Sequence, residues 1–384
     1  MNHDRLRTLT LSTVKVTPKT IWTFLEIETE AGLRGIGEAS LTGHEDRVAK
    51  AMAELAPIAL ALPDTDPTFL PTHRPVDLPY AAAISALDQA LWDVTAQGRG
   101  VALSEALGSV RRDDVPVYAN INRRTLDRSP AGFAANARAA VAAGHLAIKL
   151  APFDEARPGT GTEPLAAGLA CVAAVREAVG PAVRLMLDCH WRLDAASAAH
   201  VIAAAAELGV DWIECPLPET PAAATTIAGL RTQANQRGIT LAGLETGIGV
   251  DGFAPFVRAG AYDVMMPDLK YIGGLAEALR LSDILHAAGI GFSPHNPSGP
   301  VCHAASLHVC AVASAVHSLE VQFDETPLFA TLVGADLHAV RAGALPVPTG
   351  AGLGVALQEG PMAQHRLRHW HAARSEASVL QEST

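Results

Sequence analysis

Val183-Arg-Leu-Met-Leu-Asp188, Asp211-Trp-Ile-Glu214 and Ile239-Thr-Leu-Ala-Gly-Leu-Glu245 are three short apolar runs, and each ends in a carboxylate. Apolar runs of this length, bounded by polar turn residues, predict strands buried on both faces. A carboxylate at the end of a buried strand is costly unless a cation compensates it. One such acid is an ordinary strand cap or the partner of a surface base. Three in succession predict a shared cation.

The pattern extends outward from this stretch. Tyr262-Asp-Val-Met-Met-Pro-Asp268 ends in an acid, Gly289-Ile-Gly-Phe-Ser-Pro-His295 ends in a histidine, and Leu319-Glu-Val-Gln-Phe323 carries Glu320. The steps from Asp188 through Glu214, Glu245, Asp268 and His295 to Glu320 are 26, 31, 23, 27 and 25 residues. Ala- and Leu-rich segments of helical character, such as 194–208 and 274–288, lie between the runs. Repeated strand-plus-helix units with polar strand ends predict an α/β chain folded as a TIM-type barrel, with its chemistry at the C-terminal rim. Upstream, Val115-Pro-Val-Tyr-Ala-Asn-Ile121 and His145-Leu-Ala-Ile-Lys149 supply the first two barrel strands.

The N-terminal third differs. Residues 6–16 and 20–29 have strand character across the turn Val16-Thr-Pro-Lys-Thr20, and Ala31-Gly-Leu-Arg-Gly35 begins a third strand. A loop over 38–44, helices over 46–61 and 80–97, and an irregular Pro-rich segment over 63–79 follow. Sheet followed by helices is an α+β arrangement, and the character changes near 111–114. The chain after about 331 adds no ninth barrel unit and is expected to return to the N-terminal part.

Composition excludes several classes. The 384-residue chain carries a net charge of −11 and no Lys/Arg cluster, which argues against nucleic acid or anionic membrane as partner. Five cysteines without a Cys-x-x-Cys pair suggest neither a disulfide framework nor a thiolate zinc site. Residues 1–10 lack the apolar core of a signal peptide, and no window approaches the ~18 apolar residues of a membrane span. A soluble, cytoplasmic protein is expected.

Oxygen-only ligands from Asp188, Glu214 and Glu245 favour a hard cation, Mg²⁺ or Mn²⁺. Asp268 can orient His295 as a base by fixing its tautomer. His190 lies two residues beyond Asp188, on the same side of a strand, and can face whatever the cation holds. Lys149 ends an apolar run and can neutralise a carboxylate, as can Lys270. Glu320 is a candidate to bond substrate or act as an electrophile. Arg123 and Arg124 can reach an anionic group. Removing a proton next to a carboxylate makes an enediolate, whose charge a divalent cation stabilises. A base, a cation and an acid at the β-carbon together eliminate water from a sugar acid.

At these residues the chain resembles the enolase superfamily, in its mandelate-racemase-like branch. Ala82-Ala-Ile-Ser-Ala-Leu-Asp-Gln-Ala-Leu-Trp-Asp93, continuing to Gly108, is similar to the helical part of that family's capping domain. Leu345 to Gly354 resembles its C-terminal return. The resemblance implies a modified (β/α)7β TIM barrel over 114–339, with an α+β capping domain over 1–113 to which 340–384 return. It implies Mg²⁺ on Asp188, Glu214 and Glu245, Asp268 with His295 as the base dyad, Glu320 as electrophile, and a homo-oligomer. Asp188-Cys-His190 is similar to the pattern of galactonate-type dehydratases, in which the histidine is the general acid. Substrate contacts are expected from Arg123, Trp191, Asn296 and His44.

Departures from the family shape the reading. Where this branch commonly has Lys-x-Lys, Lys149 is followed by Leu150 and Ala151, so a second base on the opposite face is missing. Glu245 follows Gly243-Leu244 rather than Gly-Gly. The short loop Val16-Thr-Pro-Lys-Thr20 is expected to close the site less completely. The expected activity is Mg²⁺-dependent dehydration of an aldonate or aldarate. The rivals are an epimerase or cycloisomerase on the same scaffold, and a non-catalytic barrel that binds a sugar acid.

Overall fold

The computed structural model describes residues 4–70 and 77–374. Residues 1–3, 71–76 within the Pro-rich segment, and 375–384 at the end of the expected return lie outside the described residues. Strands Leu6–Lys15, Ile21–Thr29 and Arg34–Glu38 pair antiparallel in sequence order. Strand Arg366–Ala373 joins them antiparallel to Leu6–Lys15, so the returning chain forms the outer edge. Helices Glu45–Leu60 and Leu78–Arg99 cover one face. The third strand reads Arg-Gly-Ile-Gly-Glu because the second helix lies directly on it. A Cβ at Gly37 would stand 2.0 Å from the Ala86 carbonyl oxygen, and one at Gly35 would stand 2.3 Å from that of Ala90.

Eight parallel strands then follow: Asp114–Asn120, Ala147–Leu150, Arg184–Asp188, Trp212–Glu214, Thr240–Gly243, Val264–Met265, Gly291–Phe292 and Leu319–Gln322. The first seven pair one with the next in sequence order, and the last pairs with the first, Leu319 opposite Val117. The ring closes through a bridge between Phe292 and Val316. A short strand, Ala344–Pro346, pairs antiparallel with the start of the first and leads the chain back. The architecture is the modified TIM barrel with a capping sheet. No described helix is long and apolar enough to cross a membrane.

Buried polar side chains of the helix Leu78–Arg99 join the two parts. Helices Leu275–Ala287 and Pro300–Val312 start on glycines that offer no side-chain cap. Their first N–H groups need acceptors. Asp88 accepts the Leu275 N–H at 2.6 Å, and Glu38, at the end of the third strand, accepts those of Gly299 and Cys302 at 2.7 and 3.0 Å. Asp93 accepts the N–H groups of Ile36 and Leu353 at 3.0 and 2.8 Å. The turn at 16–20 is seated on the barrel rather than standing open: Thr20 Oγ1 donates to Glu325 at 2.5 Å, and Thr326 Oγ1 to the Val16 carbonyl at 3.5 Å.

His308, fully buried, ties three segments together. Its Nδ1 accepts the Ser104 N–H at 3.2 Å and its Nε2 donates to the Leu353 carbonyl at 3.2 Å, which requires a neutral ring. Burial pulls its pKa down to about 4, against the opposing Leu353 carbonyl. The unfolded chain takes up a proton below about pH 6.5 and the folded one does not, so this contribution is full above that pH and is lost as pH falls towards 4. It amounts to at most about 3 kcal/mol. His308→Gln is expected to lower the Tm at about pH 7.5, with the gap from wild type narrowing by about pH 5. A gap that stays constant across thermal melts would show that the ring is not held neutral.

Candidate active site

Strand alternation explains which side chains face the barrel axis. Tyr118, Ala147, Met186, Trp212, Ala242, Val264 and Met266 form a compact cluster inside the ring. Two residues further along, on the same side, come Asn120, Lys149, Asp188, Glu214 and Asp268. The fifth strand breaks the rule. Leu244, two beyond Ala242, packs into the outer core instead, and its φ of +73° is left-handed. This turn brings Glu245 inward to join the other two acids. Ligand oxygens of Asp188, Glu214 and Glu245 all lie within 4.8 Å of one another, and all three residues are buried.

Two histidines flank this triad. At one end His190 places Nε2 2.7 Å from Asp188 Oδ2, with its side chain 42% exposed at the mouth. At the other, His295 places Nε2 3.5 Å from Glu245 Oε2 and 3.9 Å from Glu320 Oε2. His295 Nδ1 is 2.9 Å from Asp268 Oδ2. Nδ1 can donate to an ionised Asp268, which leaves Nε2 facing the site. Lys270 is buried rather than exposed, and its Nζ holds Asp268 at 2.8 Å and Ser298 at 2.5 Å. Lys149 Nζ pairs with Glu214 and stands 3.2 Å from Glu320.

Charge is out of balance here. Asp188, Glu214, Glu245, Asp268 and Glu320 are buried, and among the described residues Lys149 and Lys270 are the buried lysines beside them. Burial would raise the Asp268 carboxyl, but Lys270 and His295 hold it below the usual range. Glu320 likewise is held at about 2: burial opposes this, and Lys149, His295 and the Asn120 amide outweigh it. Glu245 is less well served, with His295 Nε2 at 3.5 Å and Lys149 further off. Burial, then the charges of Asp188 and Glu214, push it well above the carboxylate range. A set of buried oxygen donors with unmet negative charge fits a hard divalent cation, for which Asp188, Glu214 and Glu245 are the available ligands.

The expected substrate contacts fare unequally. Trp191 stands beside His190, with its Nε1 donating to Glu219 at 2.8 Å. Arg123 is paired with Glu325 at 3.0 Å, the carboxylate that also holds Thr20. Asn296 is buried, and its amide group donates to His303 and to the Glu320 carbonyl at 2.8 and 3.0 Å. Its backbone N–H donates to Glu320 Oε2 at 2.9 Å, so it braces Glu320 instead of presenting a free side chain. His44 is an exposed residue ahead of helix Glu45–Leu60, and the structure does not bring it into this network. Sequence reading overlooked Asn120, whose Nδ2 donates to Glu320 at 2.6 Å, although its place two beyond the inward Tyr118 marks it.

Comparison with known proteins agrees with this geometry. The signature of the mandelate racemase/muconate lactonizing enzyme N-terminal domain matches residues 4–108, and that of the enolase C-terminal domain-like family matches 132–360. A D-gluconate dehydratase from Thermoproteus tenax is 32% identical over 286 residues, 74% of this chain and 56% of that protein. The chain thus spans little more than half of that relative. A D-galactonate dehydratase from Verminephrobacter eiseniae is 31% identical over 308 residues, 78% and 77% of the two chains. A D-galactarolactone cycloisomerase from Agrobacterium fabrum is 32% identical over 298 residues, 74% of each. A solved enolase-superfamily structure from Salmonella Typhimurium superposes with a TM-score of 0.86 at 22% identity, covering 96% of this chain and all of that one. Signatures over most of the chain, relatives above 30% identity and a matching fold converge: this chain is an enzyme of the mandelate racemase/muconate lactonizing enzyme family within the enolase superfamily.

Proposed function

We propose that the enzyme is a Mg²⁺-dependent hydro-lyase that dehydrates an acid sugar, an aldonate or aldarate, to a 2-keto-3-deoxy acid. The observation that carries this reading is the pair of histidines at the two ends of one carboxylate triad, His295 backed by Asp268 and His190 on Asp188. Gluconate and galactonate dehydratases among the relatives support the substrate class. Asp188, Glu214 and Glu245 would hold the cation, which offsets negative charge gathering on the substrate carboxylate.

The rest falls to the chain's own groups. His295 Nε2 takes the proton from the carbon next to the carboxylate, and the freed electron pair moves into that carboxylate to give an enediolate. Lys149 donates to the oxygen on which charge develops. Glu320, an anion that accepts from Asn120 and Asn296, positions this ammonium rather than serving as the electrophile itself. As the enediolate collapses, the bond from the β-carbon to its hydroxyl breaks. His190 gives that hydroxyl a proton and water leaves. The resulting enol takes a proton at the β-carbon and loses the proton of its hydroxyl, and so becomes the ketone.

His295→Asn is expected to abolish exchange of the α-proton with solvent deuterium and to lower turnover by about 10²–10⁴. Undiminished exchange would rule His295 out as the base. With His190→Asn, dehydration stops while some α-exchange persists, and a variant that dehydrates normally would assign the acid elsewhere. Chelation with EDTA should remove activity against a panel of diastereomeric aldonic and aldaric acids, and Mg²⁺ should restore it. The cycloisomerase relative keeps a second reading in view. Mass spectrometry decides it: a product lighter by one water supports dehydration, and an isomer of unchanged mass supports cycloisomerisation.

A further inference from the structure

Around the triad, the backbone takes up conformations that side chains other than glycine avoid. Trp191, three residues past Asp188, has φ +57°; Cys215, directly after Glu214, has φ +47°; Leu244, directly before Glu245, has φ +73°. Left-handed backbone at such residues is strained and persists only where the surroundings over-determine it. One side chain reaches all three turns. Glu219 Oε1 accepts the Leu244 N–H at 2.6 Å, the Tyr262 hydroxyl at 2.8 Å and the Cys215 thiol at 3.8 Å, and Oε2 accepts Trp191 Nε1 at 2.8 Å. The chain makes room for it, since a Cβ at Gly243 would stand 2.3 Å from Glu219 Oε1.

We propose that Glu219 is a positioning residue that clamps the three strained turns carrying Asp188, Glu214 and Glu245, and so sets the cation affinity of the triad. The clearest case is Leu244. Without its left-handed turn, strand alternation would send Glu245 away from the other two acids. Glu219 holds the N–H of that residue. The inference rests on the reading of the triad as a metal site, and it makes Glu219 a determinant of binding that touches neither cation nor substrate.

The test is Mn²⁺ binding to the full chain by calorimetry, with thermal melts to establish folding. Glu219→Gln places an NH₂ group among N–H and O–H donors and is expected to weaken Mn²⁺ binding about 10–100-fold, the usual cost of removing an outer support of a metal site. Tyr262→Phe removes one donor and keeps the ring, so it should weaken binding by a smaller factor while folding normally. Leu244→Gly relieves the strain, so Glu219→Gln/Leu244→Gly should bind Mn²⁺ more tightly than Glu219→Gln alone. Asp263→Asn is the control. Asp263 also holds three groups, on Arg231, Asn235 and Leu241, but ahead of the strand rather than at its rim, so its loss should lower Tm and spare Mn²⁺ affinity. Wild-type affinity in Glu219→Gln and Tyr262→Phe overturns the proposal, as does a double variant that is no better than Glu219→Gln. A wild-type chain that binds no Mn²⁺ overturns the reading of the triad and this proposal with it.

Discussion

Burying negative charge at one end of a barrel is the constraint that the rest of this structure serves. An ionised carboxylate taken out of water needs either a counter-charge or donors aimed at it. Asp268 and Glu320 are satisfied from within the protein, by Lys270, Lys149, Asn120 and backbone N–H groups. The triad is satisfied only in part. Lys149 serves Glu214, His190 serves Asp188, and Glu245 meets His295 at the longer distance of 3.5 Å. The same chain thus separates structural anions, which it neutralises, from anions whose unmet charge suits a cation.

The capping part carries a second share of this work. Glu38 and Asp88 supply the acceptors that helices Pro300–Val312 and Leu275–Ala287 lack, and these are the helices that follow the strands bearing His295 and Asp268. The close fit of the third cap strand against Ala86 and Ala90 fixes where those two acids stand. Placement of His295 and Asp268 is therefore tied to the docking of the cap, through hydrogen bonds rather than through apolar packing alone. The turn at 16–20, anchored by Glu325 and Thr326, adds a contact at the mouth.

Much of this was legible in the chain because charge at a strand end is so costly that it leaves a periodic trace. Strands as short as Val264–Met265 and Gly291–Phe292 were found by their apolar runs and polar ends, not by their length. Residues whose meaning depends on a partner far away in sequence were not legible. Arg123 and Asn296 look like free polar groups until Glu325 and His303 are placed beside them. Glu219 sits in a turn without any periodic position, and its four donors come from four separate segments. The departure at Leu244 was visible as a missing glycine, but its consequence needed the backbone angle.

That departure has a counterpart on the second barrel strand. Position 151, where the family commonly has a second lysine, is a buried alanine whose N–H donates to Asn122 Oδ1 at 2.7 Å and whose carbonyl accepts from Arg128. Arg128 is in turn held by Asp154 at 2.7 Å. The rim at this point is closed by fixed hydrogen bonds, and position 151 itself offers no titratable side chain. Racemisation needs proton exchange on both faces of the same carbon, whereas elimination needs a base at one carbon and an acid at the next. With Ala151 in place of a base and His190 present as a candidate acid, the asymmetry of the rim supports elimination over racemisation.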